Sequence, residues 1–84
     1  MESFDLAVAK QLKTMDELLF LQSEIERCQQ LEKELIQLKN EQKLESIQQE
    51  IERMNIELKE IQLIFEKQTE EAIQSYQTMG ITSA

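Results

Sequence analysis

Leu38-Lys39-Asn40-Glu41-Gln42-Lys43-Leu44 is the stretch on which the fold turns. Two leucines bracket a wholly polar run, and they stand six residues apart. A coiled-coil seam repeats every seven, so the apolar patterns on the two sides of this run are out of phase. Either the helix continues and overwinds locally at a stammer, or the chain turns back near Glu41. Turns normally draw on Gly, Pro or Asn-Gly, and only Asn40 offers that chemistry here. The lack of turn residues favours a continuous rod over a helical hairpin.

On the C-terminal side, Leu44, Ile47, Ile51, Met54, Leu58, Ile61 and Phe65 alternate by three and four. That is a heptad seam, and Gln68, Ala72, Ser75 and Met79 continue it in weaker form. On the N-terminal side, Leu21, Cys28, Leu31, Leu35 and Leu38 share one phase, with Leu18 and Ile25 beside it. The apolar pattern mirrors about Glu41: Leu38 with Leu44, Leu35 with Ile47, Leu31 with Ile51, Cys28 with Met54, Leu21 with Ile61, Leu18 with Ile64. Antiparallel helices pair in this way, either inside one folded chain or between two straight chains. A straight chain would be on the order of 110 Å long at about 1.5 Å per residue, and a hairpin half that.

A parallel dimer is less well specified. Its flanking pairs in the second half, Glu50 to Asn55, Glu57 to Gln62 and Ile64 to Thr69, contain no opposite charges, and only Glu34 to Lys39 in the first half is a good pair. Leu at one seam position with Ile at the next, as at Leu44/Ile47 and Leu58/Ile61, leans towards four strands. The seam residues expected to form an oligomer core are thus Leu21, Cys28, Leu31, Leu35, Leu38, Leu44, Ile47, Ile51, Met54, Leu58, Ile61 and Phe65.

Composition agrees with helix nearly end to end. The 84 residues hold no proline and one glycine, and between Asp5 and Met79 there is neither. Leu, Glu, Gln, Lys, Ile and Ala dominate, and of these only the β-branched Ile crowds the preceding turn of a helix. Charged residues are 31% and aromatics 5% of the chain, the profile of a coiled coil or long helix. Ser3 or Asp5 can cap the first turn. Thr14 with Glu17 fits a capping box, but Phe4, Val8, Leu12 and Met15 keep helical spacing across it, so Thr14 reads as a mid-helix residue. Gly80 stands where a left-handed stop belongs, with Ile81 able to pack on Tyr76, and residues 80–84 are expected to be a disordered tail. The whole is one coiled-coil region: a first seam over 3–38, the polar break over 39–43, a second seam over 44–79.

The same inventory excludes most chemistry. A single cysteine and no histidine leave neither a disulfide framework nor a zinc site. Glu50/Glu57 and Glu70/Glu71 read as solvated charge rather than metal ligands, and no cofactor is expected. Acid–base catalysis needs a titratable group in a concave pocket, and a rod has none, so the chain reads as a non-enzyme without a small-molecule substrate. With 17 acidic against 9 basic residues and no basic cluster, nucleic acid and anionic membranes are disfavoured partners. Leu18-Leu19-Phe20-Leu21, the longest apolar run, is far too short to span a bilayer, and no signal peptide is visible. A lone thiol then suggests a reducing compartment, cytoplasmic or nuclear.

Two places are wider than a two-stranded seam requires: Leu18, Leu19 and Phe20, and Ile56, Leu63 and Ile64. Such apolar patches on an acidic surface mark contact sites. The surface has no Glu-to-Lys pairs in the favourable four-residue order, so stability has to come from association. The expected role is a coiled-coil oligomerisation or scaffold module of a larger complex, binding itself or other helical proteins. The alternative is a helical effector or tether that presents Leu18, Leu19, Phe20, Ile56, Leu63 or Ile64 to a globular partner such as a small GTPase or adaptor.

Overall fold

The computed structural model describes residues 2–83, with side chains for residues 3–78. It holds two helices, α1 (Glu2–Gln37) and α2 (Glu41–Ser83), and no strand among the described residues. They pack against each other as an antiparallel hairpin measuring 66 × 15 × 13 Å. The 43 residues of α2 at about 1.5 Å each account for that length, so the chain doubles back on itself. The all-α coiled-coil expectation holds. The preference for a continuous rod does not.

The turn is built without glycine. Lys39 sits in the left-handed region at φ 55. The N–H of Asn40 donates to the Leu35 carbonyl at 3.1 Å and that of Lys39 to the Ile36 carbonyl at 3.1 Å. These two bonds are the Schellman closure of a helix C-terminus, with lysine in the place glycine usually takes. Asn40 then serves the next helix as its N-cap. Its Oδ1 accepts from the Lys43 N–H at 3.2 Å, and its carbonyl accepts from the Leu44 N–H at 3.0 Å. Glu41 in the first turn of α2 complements the positive end of the helix dipole, as Lys39 complements the negative end of α1.

The two turn residues should respond to substitution with opposite signs. Lys39→Gly relieves a left-handed strain of roughly 1–2 kcal/mol and gives up a dipole contact of less than ~1 kcal/mol, so it should stabilise slightly. Asn40→Ala should cost about 1 kcal/mol through the lost cap. Urea unfolding followed by circular dichroism reads both, and shifts in the same direction would contradict this turn.

The inward positions of α1 are Phe4, Ala7, Gln11, Thr14, Leu18, Leu21, Ile25, Cys28, Glu32 and Leu35. Those of α2 are Leu44, Ile47, Ile51, Met54, Leu58, Ile61, Phe65, Gln68, Ala72 and Ser75. The two series are equidistant from the Lys39–Asn40 bond, which moves the mirror centre away from Glu41. No stammer is needed, because Leu38 is outside the seam. Leu21, Ile25 and Met54 form the core cluster, with Cys28, Ile51, Leu58 and Ile61 packed on it.

Thr14 is a mid-helix residue as read, buried and donating its hydroxyl back to the Lys10 carbonyl at 3.1 Å. It belongs to a polar layer. Gln11 Nε2 donates across the seam to Thr69 Oγ1 at 2.6 Å, and Thr69 donates to the Phe65 carbonyl at 2.9 Å. Polar groups at one level of an apolar seam fix its register. At the open end Phe4 and Tyr76 stack at 5.7 Å between centroids, tilted by 53°. The helical stop expected at Gly80 is not used: α2 runs through it to Ser83, across residues expected to be a disordered tail. The side chain of Ile81, and Ala84, lie outside the described residues.

Candidate interaction faces

The seam between the helices leaves much of the apolar surface outside it. No described side chain is fully buried, and even Met54 keeps 5% of its surface exposed. Most residues expected to form an oligomer core are those the two helices use against each other. Leu21, Leu35 and Met54 are buried, while Cys28, Leu44, Ile47, Ile51, Leu58, Ile61 and Phe65 are half-buried. Leu31 and Leu38 are not among them, at 42% and 74% exposed. Their places in the seam are taken by Ile25, which the sequence reading set beside the stripe, and by Glu32.

The residues expected to form a partner face separate. Leu18 is drawn into the seam. Leu19 and Phe20 are exposed and, being adjacent on a helix, point to different sides. Ile56 and Leu63 are exposed on the outer side of α2, seven residues apart, and Ile64 is exposed on its flank. They do not form one patch.

The flanks of the seam differ in a way the sequence reading did not find. Val8, Thr69 and Tyr76 line one groove, with Phe4, Gln11, Ala72 and Ile73. Residues at seven-residue intervals from these continue the same side. On α1 they are Val8, Met15, Gln22, Gln29 and Ile36. On α2 they are Gln48, Asn55, Gln62, Thr69 and Tyr76. None is charged, although 31% of the chain is.

The opposite flank is charged. Lys10 and Glu71 share one groove there, and Leu31 and Lys43 another. Between them an open groove of about 450 Å³ has Phe20, Leu21, Met54 and Ile61 on its floor and Asp16, Glu17, Glu24 and Glu57 on its rim. Glu24 pairs with Arg27 at 2.6 Å, and Arg53 bridges Glu50 and Glu57. The hydrogen bond from Arg53 holds the Glu50 carboxyl below its ordinary range. Arg53 and Glu57 stand four residues apart in the weaker order. The three-residue pairs Glu24/Arg27 and Glu50/Arg53 were missed, though their spacing was visible. Exposed pairs of this kind contribute little stability.

Among the described residues no group of carboxylates or thiols is arranged to hold a metal, and no helix is long and apolar enough to cross a membrane. Cys28 is a free thiol, half-buried against the core cluster.

The fold and its faces define a class: an antiparallel helical hairpin with a half-closed seam, bordered on one side by uncharged residues and on the other by residues of both charges. Residues 3–79 match the family described as YgaB-like protein, and the chain belongs to that family. It is similar to YgaB of Bacillus subtilis (strain 168), 47% identical over 78 residues, which cover 93% of this chain and 68% of the relative. No solved structure matches the chain.

Proposed function

We propose that this chain is a non-enzymatic coiled-coil module that self-associates and acts as an oligomerisation or scaffold segment of a larger assembly. One observation carries the reading. The hairpin buries no side chain completely and leaves Leu12, Leu19, Phe20, Ile56, Leu63, Ile73 and Tyr76 more than half exposed. Two helices of this kind close too little surface to be stable alone, and further helices are the usual remedy. The partners proposed are copies of itself or other helical proteins, rather than nucleic acid, membrane or a small molecule. The carboxylates lie on open helix surface, which supports a binding rather than a catalytic role. The free thiol of Cys28 within the seam supports a reducing, intracellular setting. Sedimentation equilibrium should show a dimer or larger species at micromolar concentration. A well-folded monomer throughout would sink the reading.

Ile56 and Leu63, exposed together on the outer side of α2, favour a second reading as a helical effector or tether for a globular partner. Glutamate at both positions would then abolish partner binding and leave helicity and oligomeric state intact.

A further inference from the structure

We infer that the groove floored by Leu21, Met54 and Ile61 receives a basic amphipathic helix of another protein, with an apolar side chain on that floor and lysines or arginines against Glu17, Glu24 and Glu57. The inference rests on the binding role proposed above and gives the helical partner its chemistry.

At this groove the core cluster reaches the surface. Leu21 and Met54 belong to that cluster, and Ile61 packs on it. Seam packing holds all three in place, so the floor is formed before any partner arrives. Phe20 makes a wall and is 67% exposed. At about 450 Å³ the groove has room for a large apolar side chain. An amphipathic helix laid in such a groove covers it with its anchor residues.

Every charged residue lining the groove is acidic: Asp16, Glu17, Glu24 and Glu57. The nearby bases stand outside it. Arg27 reaches Glu24, and Arg53 reaches Glu50 and, at 3.7 Å, Glu57, both from side chains more than half exposed. Lys13 and Lys67 are exposed towards the open end. With Glu50 and Glu60 counted, carboxylates outnumber these bases six to four. Asp16 and Glu17 make no ion pair among the described residues. Glu24 and Glu57 reach the same groove from opposite helices, and a cation between them relieves their repulsion.

Spacing separates another protein from a second copy. Glu17 and Glu24 are seven residues apart on one helix, about 10 Å along its axis. A helix lying in the groove meets both with bases seven apart, on either side of its apolar anchor. This chain has no two basic residues seven apart, so a second copy cannot supply that pair from one helix.

The probe is a synthetic helical peptide of about 14 residues, with leucines on one face and lysines seven apart beside them. Met54 lies on the groove floor and Met15 on the other flank, so carbon-13 methyl signals of the methionines locate the peptide on the unaltered protein. Met54 should shift and Met15 should not. By fluorescence anisotropy of labelled peptide, Glu24→Gln with Glu57→Gln should weaken binding about tenfold, and Glu45→Gln with Glu52→Gln, the same charge change elsewhere on α1 and α2, less than about threefold. Phe20→Ala should weaken it about tenfold. Equal losses in the two double variants, or a shift of Met15 with Met54, would mean unspecific attraction to an acidic chain and overturn the site. A peptide with glutamates for lysines that binds as well, or no binding at all, also overturns it. A dimer that Phe20→Ala dissociates would give the groove to a second copy. Sedimentation equilibrium keeps the two proposals apart: a dimer that ignores the peptide leaves self-association standing, and a folded monomer that binds it leaves this site standing. Should a variant fail to fold, the Met54 and Met15 signals of the unaltered protein decide.

Discussion

Met54→Asp is expected to abolish the hairpin, while Ile56→Asp, two residues further on, leaves it folded. Met54 is 5% exposed and sits in the cluster with Leu21 and Ile25. A carboxylate there would be buried without a partner, at a cost of about 3–5 kcal/mol. Small domains have total stabilities near the lower end of roughly 5–15 kcal/mol, so the loss consumes most or all of it. Ile56 faces away from α1 at 56% exposed, and a surface change of this kind shifts stability by about 0.5 kcal/mol or less. Thermal melting by far-UV circular dichroism separates the two. The same contrast tests the phase of α1: Leu35→Asp should be severe and Leu38→Asp nearly silent, because only Leu35 is buried. Equal melting of that pair would mean that the stripe through Leu31 and Leu38 is the true seam.

That contrast marks where the sequence was legible. The seam of α2 was readable because Leu44 to Phe65 keep the three-four spacing without a break. In α1 the seam passes through Gln11, Thr14 and Glu32, all polar, so the apolar signal fades where it is needed. Leu31 and Leu38, on the flank, offer an apolar stripe in its place. Once Leu38 is taken as a seam residue, the six-residue interval to Leu44 looks like a slip in a continuous helix. The turn added to the misreading. Its left-handed residue is a lysine, which no propensity argument singles out, and Asn40 closes α1 with its backbone N–H and caps α2 with its side chain. A signal was nevertheless present. Phasing α1 on Leu18, Leu21, Ile25, Cys28 and Leu35 mirrors every seam position of α2 about the Lys39–Asn40 bond, and no other feature is required. The row of uncharged residues beside the seam was hidden for the same reason. Its residues fall into line only when both seams are in the correct phase.

A pair of spin labels settles the topology with the largest contrast. With Cys28 replaced by serine, cysteines at Lys13 and Lys67 carry the labels, both exposed. In a continuous helix these positions would be roughly 80 Å apart at about 1.5 Å per residue. In the hairpin they lie near the same level of two helices whose axes pack about 8–10 Å apart, so the labels should be within about 20 Å. Dilution with unlabelled chain removes distances between copies, which matters because two straight chains crossing antiparallel would bring Lys13 of one near Lys67 of the other. A short distance that survives dilution therefore belongs to one chain. A short distance that disappears on dilution would restore the rod, and the Lys39–Asn40 turn would then be wrong. Pro at Lys39 sharpens the comparison. Lys39 uses φ 55 and donates its N–H to Ile36, and proline permits neither, so the short distance should broaden or be lost.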